Sequence, residues 1–303
     1  MRRLTLLLLA VPLAAQQAPA ARDRLLESDR AASEAVASHG VYLGLPAHLA
    51  DDVVLVWPGA AVLQGSSAIS RFLRGQRSVV LARISWQPLH LELAADSTLA
   101  LEWGVATVDR VASATLPATH RIGRFLAAWK PIDGRWQLSA LAFSSLQNGG
   151  ETVWVDSLGL REWPLLRSSG PVGKFIAADS SFAARAGNAG VANAFSRWAA
   201  PDAVTFSASG ELAMGRAAIA AGFAGDANHW SWGAAVAAGA STDGSLGWTV
   251  GQAVIVGKDR YSKSKYLTLW RRLPNGGVRY FSDGGNGKPS CAPGRSGGRD
   301  RHL

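Results

Sequence analysis

The chain has 303 residues, of which 48% are hydrophobic and 17% are charged. This composition suits two folded domains of about 130 residues each and differs from that of a disordered chain. The formal net charge is +9 at pH 7, but the Lys and Arg residues between the two termini form no basic stripe, so we expect no nucleic-acid binding.

The first 20 residues have the pattern of a bacterial Sec-type signal peptide. Arg2 and Arg3 precede a short apolar run from Leu4 to Leu13, and small residues follow at Ala18 to Ala20. The run is too short to span a bilayer. We therefore predict an exported protein, periplasmic or secreted, with no membrane attachment after cleavage. The single cysteine, Cys291, excludes an internal disulfide framework.

The chain repeats itself. Residues 176–219 align with residues 26–69 at a constant offset of 150, so that Asp179 matches Asp29 and Gly215 matches Gly65. A period of this length indicates a duplicated domain. The predicted organisation is a signal peptide (1–20), a first domain (21–147, copy one), a linker (148–170), a second domain (171–287, copy two) and a basic disordered tail (288–303).

Each copy opens with a helix, indicated in copy one by the apolar spacing of Leu25, Ala32 and Val36. A strand, a turn and a short helix follow, and the rest is predicted to be β. The strands of copy one are expected at 53–57, 84–93, 99–108, 120–130 and 135–143. Asp133-Gly134 joins the last two, and Asn275-Gly276 does so in copy two, as in hairpins. This order predicts an α+β fold in which a curved antiparallel sheet wraps the N-terminal helix.

The residues of copy two resemble the SnoaL-like, DUF4440-type branch of the NTF2-like superfamily. The resemblance rests on Asp179, on residues 202–219, on Leu246 to Gly251, on Tyr266 to Arg272 and on Asp283. Copy one carries a weaker version, since Leu141 stands where Asp283 is found in copy two.

The resemblance implies two tandem cone-shaped α+β barrels, each with a pocket, and dimerisation through the sheet face. Relatives include ketosteroid isomerase, limonene-epoxide hydrolase and polyketide cyclases, alongside binding domains of unknown role. A fold shared by so many activities does not by itself name one.

Asp29 and Asp179 are the candidate catalytic residues. Each lies on the apolar stripe of the first helix of its copy, where a carboxylate facing a cavity would have a raised pKa and could act as an acid or a base. The alternative is a structural aspartate whose hydrogen bonds satisfy its burial.

Aromatic side chains recur along the predicted strands and provide candidate ligand contacts. The alternative for them is ordinary core packing. Asp283 would lie at a pocket mouth or in an ion pair. The candidate ligand-binding residues are Trp57, Phe125, Trp129, Trp232, Trp248, Tyr266, Trp270 and Asp283.

The remaining acidic residues give weaker signals. Glu102 is a lone acid within a predicted strand of copy one, replaced by Thr249 in copy two, and Asp52 and Asp202 are expected to make local turn bonds before a strand. No His or Cys spacing fits a metal site, and no cofactor motif is present. We therefore expect neither a metal nor a cofactor.

The leading prediction is an exported protein that binds a small apolar or aromatic molecule, with the better pocket in copy two. One alternative is an isomerase- or hydrolase-like enzyme that uses a pocket aspartate as its proton carrier. Another is an accessory protein-interaction module. The two copies are expected to pair face to face as a pseudo-dimer, or the chain to form a homodimer.

Overall fold

A computed structural model describes residues 13–75, 82–110, 112, 118–145, 170–206, 212–258 and 261–287. The predicted linker and the tail, with Cys291, lie almost wholly outside these ranges, as do residues 1–12. The described part of copy one contains three helices, a 3-10 turn at Pro46–His48 and six strands. The helices are α1 (Leu13–His39), α2 (Val41–Gly44) and α3 (Ser66–Gly75), and the strands are β1 (Leu49–Val56), β2 (Leu63–Gln64), β3 (Ala82–Leu93), β4 (Ala100–Arg110), β5 (Thr119–Ile132) and β6 (Arg135–Ser145).

Copy two repeats this order with one strand more among its described residues. Its helices are α4 (Pro171–Ala189), α5 (Val191–Trp198) and α6 (Gly215–Gly222). Its strands are β7 (Ala199–Phe206), β8 (Leu212–Met214), β9 (His229–Trp232), β10 (Ala237–Ala240), β11 (Leu246–Val256), β12 (Tyr261–Arg272) and β13 (Val278–Gly287). The α+β class predicted from the sequence is confirmed.

The two sheets share one topology, with strand orders β2-β1-β6-β5-β4-β3 and β8-β7-β13-β12-β11-β10. Both are mixed, because β1 pairs parallel to β6 and β7 pairs parallel to β13. These two parallel pairs depart from the antiparallel pairing expected from the sequence, which the other described strand pairs show. The first strand of each copy reaches its partner only after a long connection that contains a helix, and such connections permit parallel pairing.

The copies differ at the strand that carries Trp86 in copy one. There β3 runs unbroken along β4, with a register shift between Pro88 and His90, where proline cannot donate a ladder hydrogen bond. In copy two the same edge is divided, since β9 and β10 each pair with β11. Trp86 faces Ala106 and Trp232 faces Ala253, so the two tryptophans occupy equivalent positions.

Alternation along the strands separates two hydrophobic layers. In β5, Phe125 and Trp129 face the layer that contains α1, whereas Leu126 and Ala128 face away from it. The outward-facing residues of copy one form one cluster with residues of copy two such as Trp248. The two sheets therefore contact each other through the faces turned away from their first helices.

Polar contacts join the copies at the edge of this layer. The buried Lys265 donates from Nζ to the carbonyl oxygens of Trp57 (2.7 Å) and Ala60 (2.6 Å). Asn286 Nδ2 donates to the carbonyl oxygens of Val56 (3.0 Å) and Phe143 (2.7 Å). Copy two thus supplies donors to backbone oxygens at the carboxyl ends of two strands of copy one.

None of the helices in the described part of the chain combines the length and the hydropathy that a membrane span requires.

Candidate functional site

The interior of copy two is organised around Asp179, which lies on α4 and is fully buried. Its Oδ1 accepts a hydrogen bond from Thr249 Oγ1 at 3.1 Å, and its Oδ2 accepts one from Tyr266 OH at 2.9 Å. Thr249 Oγ1 in turn accepts from Trp270 Nε1 at 2.8 Å. The carboxylate is therefore held by side-chain hydroxyls projecting from two neighbouring strands.

Burial raises the pKa of Asp179 to about 7, although the hydrogen bonds from Tyr266 and Thr249 act to lower it and the charge of Asp283 raises it further. Burial and the adjacent Asp179 raise the pKa of Tyr266 well above its usual value. Tyr266 consequently remains a hydrogen-bond donor at neutral pH, while Asp179 is poised between its two protonation states.

Asp283 is the second carboxyl group of this region and lies on β13. Its Oδ2 accepts a hydrogen bond from Thr268 Oγ1 at 2.5 Å. Burial raises the pKa of Asp283 to about 6, and the bond from Thr268 opposes that rise. Within the described ranges Asp283 forms no ion pair, and the residue as a whole is only partly buried.

Aromatic rings surround the carboxylate. The Phe182 ring lies 5.0 Å from Trp232, 5.6 Å from Tyr280 and 6.3 Å from Trp270 between centroids. Trp232 also lies 6.3 Å from Tyr266. Trp270 and Tyr280 are fully buried, whereas Trp232 and Tyr266 are half-buried. Trp232 and Tyr266, with Asp283, are therefore less buried than Trp270 and Tyr280.

The absence of a side chain at Gly251 allows the Tyr266 hydroxyl to reach Asp179. Gly251 lies opposite Tyr266 in the β11–β12 ladder, and a Cβ added there would lie 2.1 Å from the Tyr266 hydroxyl oxygen. Gly104 holds the equivalent position opposite Phe125 in copy one. The missing side chain lets the aromatic ring cross the neighbouring strand and reach the first helix.

Copy one places two carboxyl groups together in its interior. Asp29 Oδ1 accepts from Trp86 Nε1 at 2.6 Å, and Glu102 Oε1 accepts from Trp129 Nε1 at 2.7 Å. Among the residues that the structure describes, Glu102 Oε2 is buried and has no hydrogen-bond partner. Burial raises the pKa of both groups, most strongly that of Glu102, which the charge of Asp29 raises further.

A proton on Glu102 Oε2 would satisfy this arrangement, because a protonated Glu102 can donate to an ionised Asp29. The sequence did not reveal the pair and left Glu102 as a lone acid. The periodicity of β4 places Glu102 on the inner face, but the spacing of 73 residues from Asp29 gives no sign of proximity.

The predicted ligand residues fall into three groups. The first lies in the interior of copy one, the second surrounds Asp179, and Trp248 is separate, since neighbouring strand residues point to opposite faces and Thr249 faces Asp179. The first group is Trp57, Phe125 and Trp129, and the second is Trp232, Tyr266, Trp270 and Asp283. The structure therefore does not bring all eight into one pocket.

Asp52 and Asp202 do not make the local turn bonds expected from the sequence. Both lie within strands, β1 and β7. Asp52 receives Lys130 Nζ at 2.6 Å, and Asp202 receives the guanidinium of Arg271. The error arose because the strands begin earlier than the apolar pattern indicated, which makes these aspartates cross-strand partners.

An open depression of about 320 Å³ lies beside the β12–β13 turn and is lined by Ser245, Arg272, Leu273, Pro274 and Gly276. It contains none of the predicted ligand residues. Among the described residues, no three His, Cys, Asp or Glu side chains converge as a metal site would require.

No family model and no curated protein matches the sequence. Solved structures similar to this chain include an NTF2-like protein of unknown function from Pseudomonas putida, at 19% identity over 42% of this chain and 87% of that one, with a TM-score of 0.34. An NTF2-like protein with a cystatin-like fold from Novosphingobium aromaticivorans shows 20% identity over 44% and 91%, with a TM-score of 0.34. A ketosteroid isomerase-like protein from Erwinia carotovora atroseptica shows 15% identity over 46% and 100%, with a TM-score of 0.33. Each match spans less than half of this chain, and at these identities no activity follows from the likeness.

Proposed function

We propose that this chain is an exported tandem NTF2-like protein that binds a small apolar or aromatic molecule in copy two, next to Asp179. The observation that carries the proposal is the fully buried Asp179 carboxylate, set among aromatic rings and hydrogen-bonded by a half-buried tyrosine. Apolar walls with a few directed polar groups are the usual composition of a small-molecule site.

The aromatic rings and the polar groups have separate roles in this proposal. Trp232 and Tyr266 offer partly buried rings against which a planar ligand would pack. Asp179 accepts a hydrogen bond from a ligand hydroxyl when ionised and donates to a carbonyl when protonated. Because its pKa is about 7, both modes are accessible near neutral pH.

A second candidate function, proton transfer, is supported by the pair of titrating groups in copy two. Asp179 has a pKa of about 7 and Asp283 one of about 6, and Tyr266 stays protonated. A base with a pKa close to ambient pH, beside a neutral hydroxyl donor, suits proton abstraction next to a carbonyl group. The interaction-module alternative is supported instead by the complete burial of Trp129 and Trp270 in the two interiors.

Calorimetric titration with 2-naphthol tests the binding proposal. We expect wild-type protein to bind with a micromolar to low-millimolar Kd, which is on the order of 4–8 kcal/mol, and Asp179→Asn to bind about tenfold more weakly. Asp29→Asn is the matched control in copy one and should leave binding unchanged. Equal loss in both variants, or no binding to the wild type, would count against a site in copy two.

Export is a second part of the proposal and rests on the amino-terminal pattern of Arg2, Arg3 and the following leucines. Helix α1 begins at Leu13, within the predicted signal, and Ala21 is buried in the core of copy one. Cleavage near Ala20 would therefore leave the core residues of α1 intact. Mass spectrometry of the protein recovered from a periplasmic fraction checks this, and an uncleaved cytosolic product would contradict it.

A further inference from the structure

Three arginines of copy two gather around the junction of α5 and β7. Arg216 Nε donates to the carbonyl oxygen of Ala199 at 2.9 Å. The guanidinium carbon of Arg279 lies 5.5 Å from the centroid of the Trp198 ring. Arg197 directly precedes Trp198 and is exposed, as is Arg216. We call Arg197, Arg216 and Arg279 the arginine cluster.

Within the described ranges, no member of the cluster is paired with a carboxylate. The adjacent Arg271 shows the contrast, since it lies opposite Arg279 in the β12–β13 ladder and binds both Glu92 and Asp202. Partial burial lowers the pKa of Arg279, and the like charges of Arg197 and Arg216 lower it further. The three positive charges therefore repel one another, and no carboxylate of the described residues forms an ion pair with them.

Donor groups remain available in the cluster. A guanidinium carries five N–H donors. Arg216 donates from Nε to the carbonyl oxygen of Ala199, and Arg279 donates from Nη1 to the carbonyl oxygen of Val278. Arg279 Nε is buried and has no hydrogen-bond partner among the described residues. Unused donors on neighbouring cations favour an acceptor that carries several oxygens and a negative charge.

The fold does not require these arginines. At the equivalent positions copy one has Ala47, Ser66 and Gln137, as the constant offset and the strand registers show. Copy one builds the same helices and the same sheet order with no positive charge at any of the three positions. The charge therefore calls for an explanation specific to copy two.

We propose that the arginine cluster binds a compact dianionic oxyanion group, either a free phosphate or sulfate ion or the same group on a small molecule. Guanidinium groups match the oxygens of such anions in pairs. A compact group fits better than an extended polyanion, because the positive charge is confined to one junction and does not continue as a stripe.

Calorimetry of the full chain at constant ionic strength tests this, with inorganic phosphate, sulfate and phenyl phosphate as probes. Arg197→Gln and Arg216→Gln are expected to weaken binding about tenfold each, and the double variant to abolish it. Arg71→Gln on α3, which is the counterpart of α6 in copy one, removes an exposed arginine elsewhere and should have no effect.

The relative affinities of the probes show which form of the anion the arginine cluster binds. Similar affinity for phosphate and phenyl phosphate identifies a site for the free ion, and tighter binding of phenyl phosphate identifies a site for an ester. Absence of binding for all three probes at millimolar concentration overturns the proposal. Equal weakening by Arg71→Gln and Arg216→Gln also overturns it, because that result reflects net charge alone. The variants are made at the exposed Arg197 and Arg216, because replacing the partly buried Arg279 would also remove its contact with the Trp198 ring.

Discussion

At the scale of single residues, copy one and copy two hold a buried aspartate with different hydrogen-bond partners. Both bury an aspartate on the first helix, yet Asp29 is held by a tryptophan and lies beside Glu102, whereas Asp179 is held by Thr249 and Tyr266. Each buried carboxyl group has a raised pKa, and a raised pKa links folding to pH.

Asp179 should make the protein less stable as the pH rises. Unfolded aspartate ionises near its model value of 3.8, whereas the folded group ionises at about 7. The contribution of Asp179 to stability is thus fully present below about pH 4 and is lost progressively up to about pH 7, amounting to at most about 4 kcal/mol. Asp179→Asn should flatten this dependence, as measured by urea unfolding from about pH 4 to pH 8.

Asp133→Asn is the control for this experiment, because Asp133 lies exposed in a turn with a left-handed backbone, φ 48°, that asparagine also tolerates. An Asp179→Asn variant whose pH dependence matches that of the wild type would show that Asp179 ionises normally.

Glu102→Gln should leave the stability of copy one unchanged or increase it by about 1 kcal/mol at pH 7. Glutamine keeps an acceptor for Trp129 and supplies an N–H donor toward Asp29, which is the role given above to the proton on Glu102. Chemical denaturation measures the effect, with the exposed Glu34→Gln as control. A loss of several kcal/mol would instead mean that Glu102 is ionised in the folded protein.

Residue-scale chemistry was only partly predictable from the sequence. Asp29 and Asp179 were recognised because helical spacing reports burial directly. The partners of these aspartates were not, because Trp86, Glu102 and Tyr266 reach them from strands that are distant in sequence. The pairing register of the strands determines which side chains meet across a sheet, and the hydrophobic pattern of one segment does not reveal that register.

At the scale of elements, the first helix of each copy, the later short helix and the strands were predicted in their order, whereas α2, α5 and the strand ends were not. Leu49 and Ala199 begin strands several residues before the first apolar run. The Asp133-Gly134 dipeptide forms the hairpin turn that the sequence predicts, and both residues have positive φ. The Asn275-Gly276 turn has positive φ only at the glycine, and Leu273 N donates to Gly277 O across it, as in a three-residue hairpin loop.

Gly251→Ala should disrupt the packing of Tyr266 on β12 against β11. The added methyl group would lie 2.1 Å from the Tyr266 oxygen, so the ring must move and the bond to Asp179 is lost. We expect a destabilisation of about 1–3 kcal/mol and weaker 2-naphthol binding, measured by thermal unfolding and calorimetry. Gly222→Ala, where the added methyl meets no atom within 4 Å, is the control, and identical behaviour of both variants would contradict the packing described.

At the scale of the whole molecule, the two copies share a hydrophobic layer between their sheets. We propose that this contact takes the place of a homodimer interface, so that the chain is a monomer with two unequal interiors. Light scattering after gel filtration should give the mass of one chain, and a stable mass of two chains would contradict the proposal.

Lys265→Met should weaken the contact between the copies. The variant keeps a long apolar side chain but leaves the carbonyl groups of Trp57 and Ala60 without their Lys265 donor. We expect a loss of about 2–3 kcal/mol in the free energy of unfolding, measured in urea. Lys174→Met, on an exposed position of α4, is the control. Equal stability of the two variants would mean that the cross-copy bonds contribute nothing.

A crystal structure of residues 21–287 grown with 2-naphthol would show whether a ligand binds next to Asp179. We expect ligand density in copy two, against Trp232 and Tyr266, with the ligand oxygen within hydrogen-bond distance of Asp179, about 2.5–3.2 Å. The interior of copy one should remain empty of ligand. Density beside Asp29 instead, or an Asp179 interior closed by Trp232 with no ligand in either copy, would contradict it.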